Sequence, residues 1–501
     1  TELLPLQRPS RSADDNDTAM TQFAMDPVSK LGLIKMDFLG LTNLTILDKT
    51  IKLLKQEQDL NIPLESITLD DSKTFDLLSS GKTTDVFQLE SSGMQRHIKE
   101  LKPSAIGDIS AMIALYRPGP MEHIETFIKA KHGETSVTYP HESLEPILED
   151  TYGIIVFQDQ VLHILRTLAG YSLGEADIVR KAMGKKIPEL MQKERDQFIN
   201  GAISKGYTKE IAQKVFALIE PFAGYAFPRA HSASYALISY WTAYFKANHP
   251  VAYMTSVLNS RLDKFDRISS AIAECFRMQI PVLPPDINLS QSDFSIDKSS
   301  DTGWNIRYGL AAIKNVGELA VKSTISIREQ DGQFGSVDDF VNRAGTQILN
   351  KRTLDSLMKV GALQSFGDRT SLLESLDQIL AIAQRETRMR ASGQTSMFDH
   401  LEETDSSSLI NIKNDALPTT LTQKITWEQE LLGVEVSTNP LENIEIARSY
   451  GALTSIDEID IDIQKDPIKV FGRINAVNER LTKQNKTFGS VSLDMLGGSL
   501  D

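Results

Sequence analysis

The sequence has 501 residues, with 53 Lys and Arg against 67 Asp and Glu, and a formal net charge of −14. That length corresponds to roughly three or four domains of about 100–200 residues each, and 41% hydrophobic with 24% charged residues excludes a mainly disordered chain. No apolar run approaches the roughly 20 residues that cross a bilayer, and the single cysteine, Cys275, cannot form an intrachain disulfide. These features predict a multidomain cytoplasmic protein.

Charge is distributed unevenly along the chain. Residues 1–80 carry 8 positive and 13 negative side chains, and residues 401–501 carry 9 and 17. The segment between them is nearly neutral, with 36 and 37. A binding site for a polyanion is therefore expected in the middle of the chain.

The predicted fold class is multidomain and mainly α, with small β elements. In chain order the sequence predicts a buried strand at 31–39, a helix at 41–60, helices separated by Gly/Pro-rich turns over 72–280, a proline-rich boundary at 281–294, a compact mixed segment at 304–366, a helix at 369–391, a polar linker at 399–424, a short helix at 427–432 and a small β-domain at 467–497.

The first candidate site lies on the predicted strand LGLIKMDFL. Strand side chains alternate, so Lys35 and Asp37 would share one face. A carboxylate beside an ammonium could hold a metal ion and a phosphate together, as phosphoryl transfer requires. A structural ion pair at a sheet edge is the alternative that the sequence leaves open.

A second candidate is the basic segment RKAMGKK at 180–186. Lys181 and Lys185 are one helical turn apart with Arg180 beside them, and Gly184 could end the helix. Such a cluster can bind phosphate groups. A solvated surface cluster is equally compatible with the pattern.

A third candidate is AFPRAHSASY, where Ser232 could cap a helix whose N-terminus, with Arg229 and His231, would suit an anion. Apolar and aromatic residues follow at helical spacing, and this stripe favours a core-facing side over a stacking platform. Its members are Tyr235, Ile238, Trp241 and Phe245.

Two short segments, IKNVGEL and MKVGAL, each resemble the turn of a helix-hairpin-helix unit. In such a turn a glycine lets the backbone approach a DNA phosphate, and the next helix donates N–H groups. Two of them predict sequence-independent DNA binding. The candidate residues are Lys314, Asn315, Val316 and Gly317 in the first turn, and Lys359, Val360 and Gly361 in the second.

The segment QTSMF provides Gln394, Met397 and Phe398 within a polar stretch. An amide beside two large apolar groups suits the pocket of a partner protein. The chain has no Walker loop, GxGxxG, HExxH or GxSxG motif. This absence weighs against ATPases, dinucleotide dehydrogenases, zincins and serine hydrolases.

The order of several blocks is more specific than any one of them. KMDFLGL, DVFQLESSGM, ALYRPGP, YGIIVFQDQV, RKAMGKK, HSASYAL and LPPDIN follow one another along the chain. In that order they closely resemble the bacterial DNA polymerase III α subunit family, the C-family of replicative polymerases. The resemblance implies a C-terminal portion of such an enzyme, which transfers deoxynucleotides to a primer 3′-OH by a two-metal mechanism.

The resemblance also implies a domain order and site roles. Asp37 would be one metal-binding carboxylate and Lys35 a phosphate contact in a palm similar to polymerase β-type nucleotidyltransferases. Arg180, Lys181 and Lys185 would face the incoming triphosphate, and Arg117, Arg229, His231 and Ser232 would lie near the nucleotide. The implied domains are a palm remnant at 1–50, fingers at 51–290, a tandem helix-hairpin-helix and clamp-binding domain at 291–392, the clamp motif and linker at 393–425, and an incomplete OB-fold at 426–501.

The implied cofactor is Mg²⁺, with two ions whose other ligands lie outside this chain. The implied partners are primer–template DNA, deoxynucleotides, a sliding clamp, a clamp loader and a proofreading subunit, in a bacterial cytoplasm near the nucleoid. The family usually has F-N-K-S-H where this chain reads FPRAH, so Arg229 would replace a lysine's charge after an altered turn. Two alternatives stay open: a non-catalytic DNA-binding or clamp-docking scaffold, and an error-prone paralogue of the same family.

Overall fold

A computed structural model provides the fold of this chain. It describes residues 3–8, 19–36, 39–184, 188–222, 226–262, 264–300, 303–344, 350–391, 412, 417–437, 447, 449–453, 459, 467–481, 487–495 and 498–500.

The chain divides into two compact units, and the smaller one comprises residues 1–42. Its described elements are strands β1 (Leu6–Gln7) and β2 (Met20–Thr21), paired antiparallel, and helix α1 (Met25–Lys30). The buried strand predicted at 31–39 is wrong for the described residues, since none of them is in a strand, and Ile34, Met36 and Leu39 are 82%, 72% and 75% exposed. A strand is stabilised by backbone hydrogen bonds to a neighbour, and no described strand pairs with this segment.

The larger unit contains a main apolar core that is built mostly from helices. Its helices before and after an inserted second core are α2 (Thr42–Gln58), α3 (Ser72–Ser79), α4 (Ser92–Leu101), α5 (Ile106–Leu115), α6 (Ile124–Lys131), α12 (Arg229–Asn248), α13 (Pro250–Asn259) and α14 (Phe265–Arg277). In α14 the buried residues Ile268, Ile272 and Cys275 recur at helical spacing and form one apolar stripe. The helices predicted over 41–60 and 72–280 are confirmed.

A buried ion pair joins α12 to α14 inside the main core. Lys246 Nζ lies 2.5 Å from Glu274 Oε1 and donates to the carbonyl of Lys82 at 3.0 Å. Burial raises the pKa of Glu274, but the charges and hydrogen bonds of Lys246 and Arg277 outweigh it and hold that pKa below its usual value. The full set of partners makes the buried charges tolerable.

Residues 139–226 form a second apolar core beside the main one. Its helices are α7 (Glu145–Leu148), α8 (Gln158–Ala169), α9 (Leu173–Gly184), α10 (Pro188–Ser204) and α11 (Lys209–Phe222). Helices α8 and α10 approach closely at Gly201, where an added Cβ would lie 2.5 Å from the carbonyl oxygen of Ala169. The glycine therefore allows this helix pair to pack.

The main core continues beyond residue 280 into a mixed segment. The predicted non-helical stretch at 281–294 is confirmed, but Val282, Ile287 and Phe294 are buried in the main core. Strand order in the small sheet is β3–β5–β4, with β3 parallel and β4 antiparallel to β5. The elements are β3 (Val282–Leu283), β4 (Ser295–Ser300), β5 (Gly303–Arg307), α15 (Glu318–Asp331), α16 (Val337–Ala344), α17 (Lys351–Lys359), α18 (Arg369–Glu374), α19 (Leu376–Ala391) and α20 (Leu421–Leu432).

Near the C-terminus, β6 (Arg473–Leu481), β7 (Thr487–Met495) and β8 (Gly498–Leu500) form an antiparallel sheet in sequential order. The β-structure predicted at 467–497 is confirmed, and so is the fold class, multidomain and mainly α. An OB-fold stays a prediction. Among the described helices, none has the length and apolar character to cross a membrane.

The close contact at Gly201 gives a stability prediction. Gly201→Ala should lower the free energy of unfolding by about 1–3 kcal/mol, because the new methyl group meets backbone rather than a flexible side chain. The matched control is Gly174→Ala in α9, where no heavy atom lies within 4 Å of the new Cβ, and it should be neutral or stabilise by up to about 1 kcal/mol. Denaturant unfolding of both variants measures the difference. Equal stability of the two would contradict the described packing.

Candidate functional site

The second core is connected to the main core through two neighbouring backbone segments. The N–H of Phe227 donates to Val156 O at 3.0 Å, and the N–H of Gln158 donates to Phe227 O at 2.9 Å. The side-chain amide of Gln158 also donates to Ala226 O at 3.1 Å. Helices α8 and α12 both begin directly after this pairing, called the stem here, so their N-terminal ends lie side by side.

Arg229 links the two cores across the stem. Its Nε lies 2.8 Å from Asp159 Oδ2, its Nη1 lies 2.5 Å from Asp150 Oδ2, and its guanidinium carbon lies 4.3 Å from the ring centroid of Phe157. Burial lowers the pKa of Arg229, but the two carboxylates raise it by more than burial lowers it. The pKa of Arg229 is therefore above its usual value. The charge predicted to contact phosphate is therefore already paired with two carboxylates.

Arg117 and His231 both contact the ring of Phe227 in the stem. The Nε of Arg117 donates to Ala114 O at 3.0 Å, and its guanidinium carbon lies 4.2 Å from the ring centroid of Phe227. The exposed ring of His231 lies 5.4 Å from Phe227 and 4.3 Å from Tyr235, centroid to centroid. Burial lowers the pKa of Arg117, yet a guanidinium stays protonated at neutral pH. The structure thus brings together two predicted site residues from distant parts of the sequence.

Ser232 does not cap α12, and that prediction is wrong. The helix begins at Arg229, and Pro228 precedes it with φ −64° and ψ 113°. The proline ring fixes φ and leads the chain directly into the helix. Ser232 lies one turn inside, fully buried, with its Oγ 2.6 Å from Ser110 Oγ.

The core-facing stripe on α12 is confirmed. Phe245 is fully buried, and the other three residues pack partly buried against the main core: Tyr235, Ile238 and Trp241.

Arg180 lies on α9 in the second core, where its guanidinium donates to Asp177 Oδ1 at 3.1 and 2.9 Å. The description of α9 runs to Gly184, directly before residues 185–187, which lie outside it, so a helix end at this glycine stays a prediction. The side chain of Lys181 and the whole of Lys185 lie outside the described residues. Their predicted contacts to a triphosphate stay predictions.

Several predicted site residues fall outside the description altogether. They are Asp37 in the smaller unit and Gln394, Met397 and Phe398 in the clamp motif. Lys35 is described, but Asp37, which was expected to share its face, is not. Within the described part of the chain, no three His, Cys, Asp or Glu side chains lie close enough to hold a metal ion. The described residues therefore do not form a metal site.

The first hairpin turn is partly exposed at its glycine. Asn315 has φ 72°, so the left-handed residue is the asparagine, which tolerates this conformation better than most. Its Nδ2 donates to Ser356 Oγ at 3.2 Å, and its carbonyl accepts from Thr353 Oγ1 at 3.2 Å. Gly317 precedes α15, and no heavy atom lies within 4 Å of a Cβ placed there. The backbone at this position is open to a large ligand.

The second hairpin turn is buried. Val360 is fully buried, and Gly361 has φ 80° with its N–H donating to Met358 O at 3.0 Å. A Cβ at Gly361 would lie 2.7–2.9 Å from the guanidinium of Arg369. Lys359 is paired with Asp355 at 2.8 Å. In the described structure this glycine accommodates Arg369, and its contact to DNA stays a prediction.

Sequence reasoning missed Arg352 and the aromatic partners of the arginines. Arg352 is exposed, stands next to Thr353 and so lies close to the first turn, and no described carboxylate forms an ion pair with it. Phe157 directly precedes α8, and Phe227 stands two residues before the start of α12. A large aromatic residue before each of two helices was the available signal, but nothing in the sequence shows that the two segments pair.

Comparisons with known proteins match the same regions. A family model for the bacterial DNA polymerase III alpha subunit finger domain matches residues 43–206, and a helix-hairpin-helix model matches residues 279–372. The DNA polymerase III subunit alpha of Thermus aquaticus is 41% identical over 100% of this chain and 40% of its own length. That of Escherichia coli K12 is 38% identical over 96% of this chain and 42% of its own length. The chain spans about two fifths of the length of these relatives.

The chain belongs to the bacterial DNA polymerase III α-subunit family.

Within this family assignment, the finger match covers helices α2 to α6 and most of the second core. It therefore includes Arg117 and Arg180, whereas the stem's second segment and α12 follow it. The helix-hairpin-helix match contains both turns and Arg369 but ends before α20.

The two glycines of the hairpin turns give the next prediction. Gly361→Ala should lower the free energy of unfolding by at least about 2 kcal/mol, since it combines a left-handed φ with displacement of a buried arginine. Gly317→Ala, in open space at φ −79°, should cost less than about 1 kcal/mol. Thermal unfolding of both proteins compares them. If Gly317→Ala were the more destabilising change, the assignment of the buried turn would be wrong.

Proposed function

We propose that this chain provides the nucleotide-binding fingers and duplex-binding hairpins of a bacterial replicative DNA polymerase, which adds deoxynucleotides to a primer 3′-OH. The observation that carries the proposal is that Arg117 and His231 both contact the ring of Phe227 at the stem. Membership of the family supports the same reaction class.

Arg117 is suited to binding phosphate. Its guanidinium is stacked on Phe227 and held at Nε by Ala114 O, so its plane is already fixed. A pre-ordered guanidinium loses little side-chain entropy when it binds an anion, and its N–H fork matches phosphate oxygens. We assign it to the triphosphate of the incoming nucleotide, with the exposed ring of His231 beside it.

Arg229 has a different role in this proposal. Because Asp150 and Asp159 neutralise it, it orients the first turn of α12 and thereby His231. Arg180, Lys181 and Lys185 remain the proposed triphosphate contacts of the second core. Ser232 supports the site through Ser110.

The family resemblance implies a divalent metal ion, which would be Mg²⁺, with Asp37 as one ligand and Lys35 near the phosphates. Such an ion would activate the primer hydroxyl and stabilise charge on the transferred phosphate. The described residues do not include a set of ligands for it. The proposal therefore rests on the nucleotide and duplex contacts.

The duplex contact is assigned to the first hairpin turn. Gly317 is open to the backbone of a large ligand. The exposed Lys314 and Arg352 directly precede Asn315 and Thr353, which are joined by a hydrogen bond. These contacts would bind phosphates without reading base sequence.

The remaining partners follow from the family resemblance. We propose a sliding clamp bound through Gln394, Met397 and Phe398, together with a clamp loader and a proofreading subunit. The protein would act in the bacterial cytoplasm.

The nucleotide assignment predicts that Arg117→Gln weakens binding of a deoxynucleoside triphosphate about tenfold or more, because a charge-assisted hydrogen bond contributes roughly 1.5–3 kcal/mol. Titration of a fluorescent deoxynucleotide into the chain measures the affinity. Lys129→Gln is the control, since this exposed side chain forms an ion pair only with Glu125 among the described residues.

Two results would contradict the assignment: unchanged affinity in Arg117→Gln, or equal losses in both variants. Primer extension with Mg²⁺ and all four deoxynucleotides accompanies the titration. Duplex binding without any deoxynucleotide binding would favour the non-catalytic scaffold.

The duplex assignment predicts a change in salt dependence. Lys314→Ala and Arg352→Ala should each weaken binding to every duplex sequence and reduce the slope of log affinity against log salt by about 1. Lys52→Ala in α2, paired with Asp48, should leave the slope unchanged. Fluorescence anisotropy at several salt concentrations gives the slopes. Slopes unchanged in both hairpin variants would exclude this surface as the duplex contact.

A further inference from the structure

Helix α20 lies outside the matched helix-hairpin-helix region, yet three successive carbonyls at its C-terminal end accept hydrogen bonds from other elements. Leu431 O accepts from the N–H of Lys314 at 3.0 Å, and Leu432 O accepts from Tyr308 Oη at 3.0 Å. Gly433 O accepts from Ser269 Oγ at 2.5 Å. The last carbonyls of a helix have no partner within the helix. Here they hold the first hairpin turn, the segment after β5 and helix α14.

A fully buried ion pair connects the same helix to the second hairpin turn. Glu428 Oε1 lies 2.8 Å from Arg369 Nη1, and both side chains are 1% exposed. Arg369 also donates to Lys359 O at 3.0 Å and packs against Gly361. Glu428 Oε2 accepts the N–H groups of Val436 and Ser437. In the described structure the hydrogen bonds of the buried Glu428 carboxylate thus all go to Arg369, Val436 and Ser437.

We infer that α20 is a brace for both hairpin turns, and that Glu428 is a positioning residue for duplex binding. One rigid helix holds the first turn through Leu431 O and the second through Arg369. The first turn is also tied by Asn315 to Thr353 of α17, the helix that leads into the second turn. Weakening the ion pair of Glu428 should therefore increase the mobility of the first turn. Glu428 itself touches no residue of that turn in the described structure.

The N-terminal side of α20 is fixed to the same domain. Thr419 donates through both its N–H, at 3.1 Å, and its Oγ1, at 2.7 Å, to Asp368 Oδ2. Asp368 directly precedes Arg369 and caps α18. The segment before α20 is thus held by Asp368 and the middle of α20 by Arg369, two adjacent residues where α18 begins. These contacts restrict tilting of α20.

The experiment compares hydrogen exchange and duplex binding in the full chain. In Glu428→Gln, deuterium uptake of a peptide that contains Lys314 should rise about tenfold in rate, and duplex affinity should fall at least fivefold. Tyr308→Phe removes only the hydrogen bond to Leu432 O and should shift both quantities in the same direction by less. This milder variant tests the inference even if Glu428→Gln folds poorly.

The matched control is Gln429→Ala, the neighbour on α20 whose side chain contacts Glu435 at 2.9 Å and neither turn. It should leave exchange at Lys314 and duplex affinity unchanged. A purely local role of Glu428 would raise exchange at the second turn alone, and a general loss of stability would raise it equally in the second core. Either result would overturn the brace.

The duplex-binding part of this inference rests on the proposed function, and the two can fail separately. If the unsubstituted chain shows no salt-dependent duplex binding, the proposed duplex contact fails, while the exchange comparison still decides the brace. If that chain binds duplex DNA and Glu428→Gln matches it in exchange and affinity, the brace is wrong.

Discussion

The geometry of the proposed nucleotide site depends on the stem, a pairing of two short backbone segments. Its hydrogen bonds join Val156 and Gln158 to Phe227 and set two helix N-termini side by side. Because α8 leads into the second core and α12 into the main core, the stem fixes where the basic residues of one core stand relative to the other. Arg229 reinforces it with two carboxylates and an aromatic ring. In the proposed function Arg229 orients α12 and Arg117 contacts the triphosphate, whereas the resemblance placed both only near the nucleotide.

In the hairpin region, too, one similar segment is used for packing and the other is proposed to bind a ligand. Its two turns have similar sequences, but their glycines differ in surroundings: Gly317 faces open space, whereas Gly361 lies against the guanidinium of Arg369. The space beside the second turn's glycine is therefore filled by the guanidinium of Arg369. Helix α20 completes this arrangement, because Leu431 O accepts the N–H of Lys314 in the first turn, and Glu428 pairs with Arg369, which packs against the second. A duplex-binding surface on the first turn would then be held in place from behind by buried polar contacts.

Several sequence predictions are confirmed because they depend on local information. Helical periodicity located α2, the α3–α14 region and the core-facing stripe of α12, and alternation located β6 and β7. The order of motifs identified the family, which the comparisons confirm. Predictions that depended on a neighbour were wrong or incomplete. The strand expected at 31–39 has no described partner strand, and Ser232 lies buried against Ser110 one turn after Pro228 has begun the helix.

The sequence by itself determined the fold class, the family and the residue types of the proposed sites: arginines, a histidine, and glycines in paired turns. Only the tertiary structure decided how those residues are used. A sequence pattern records the charge of Arg229 but not the carboxylates of Asp150 and Asp159 that neutralise it, and it records Gly361 but not the arginine that fills its space. The reason is physical. Local backbone preferences act between near neighbours in the chain, whereas the partners of a buried charge come from segments brought together only by folding.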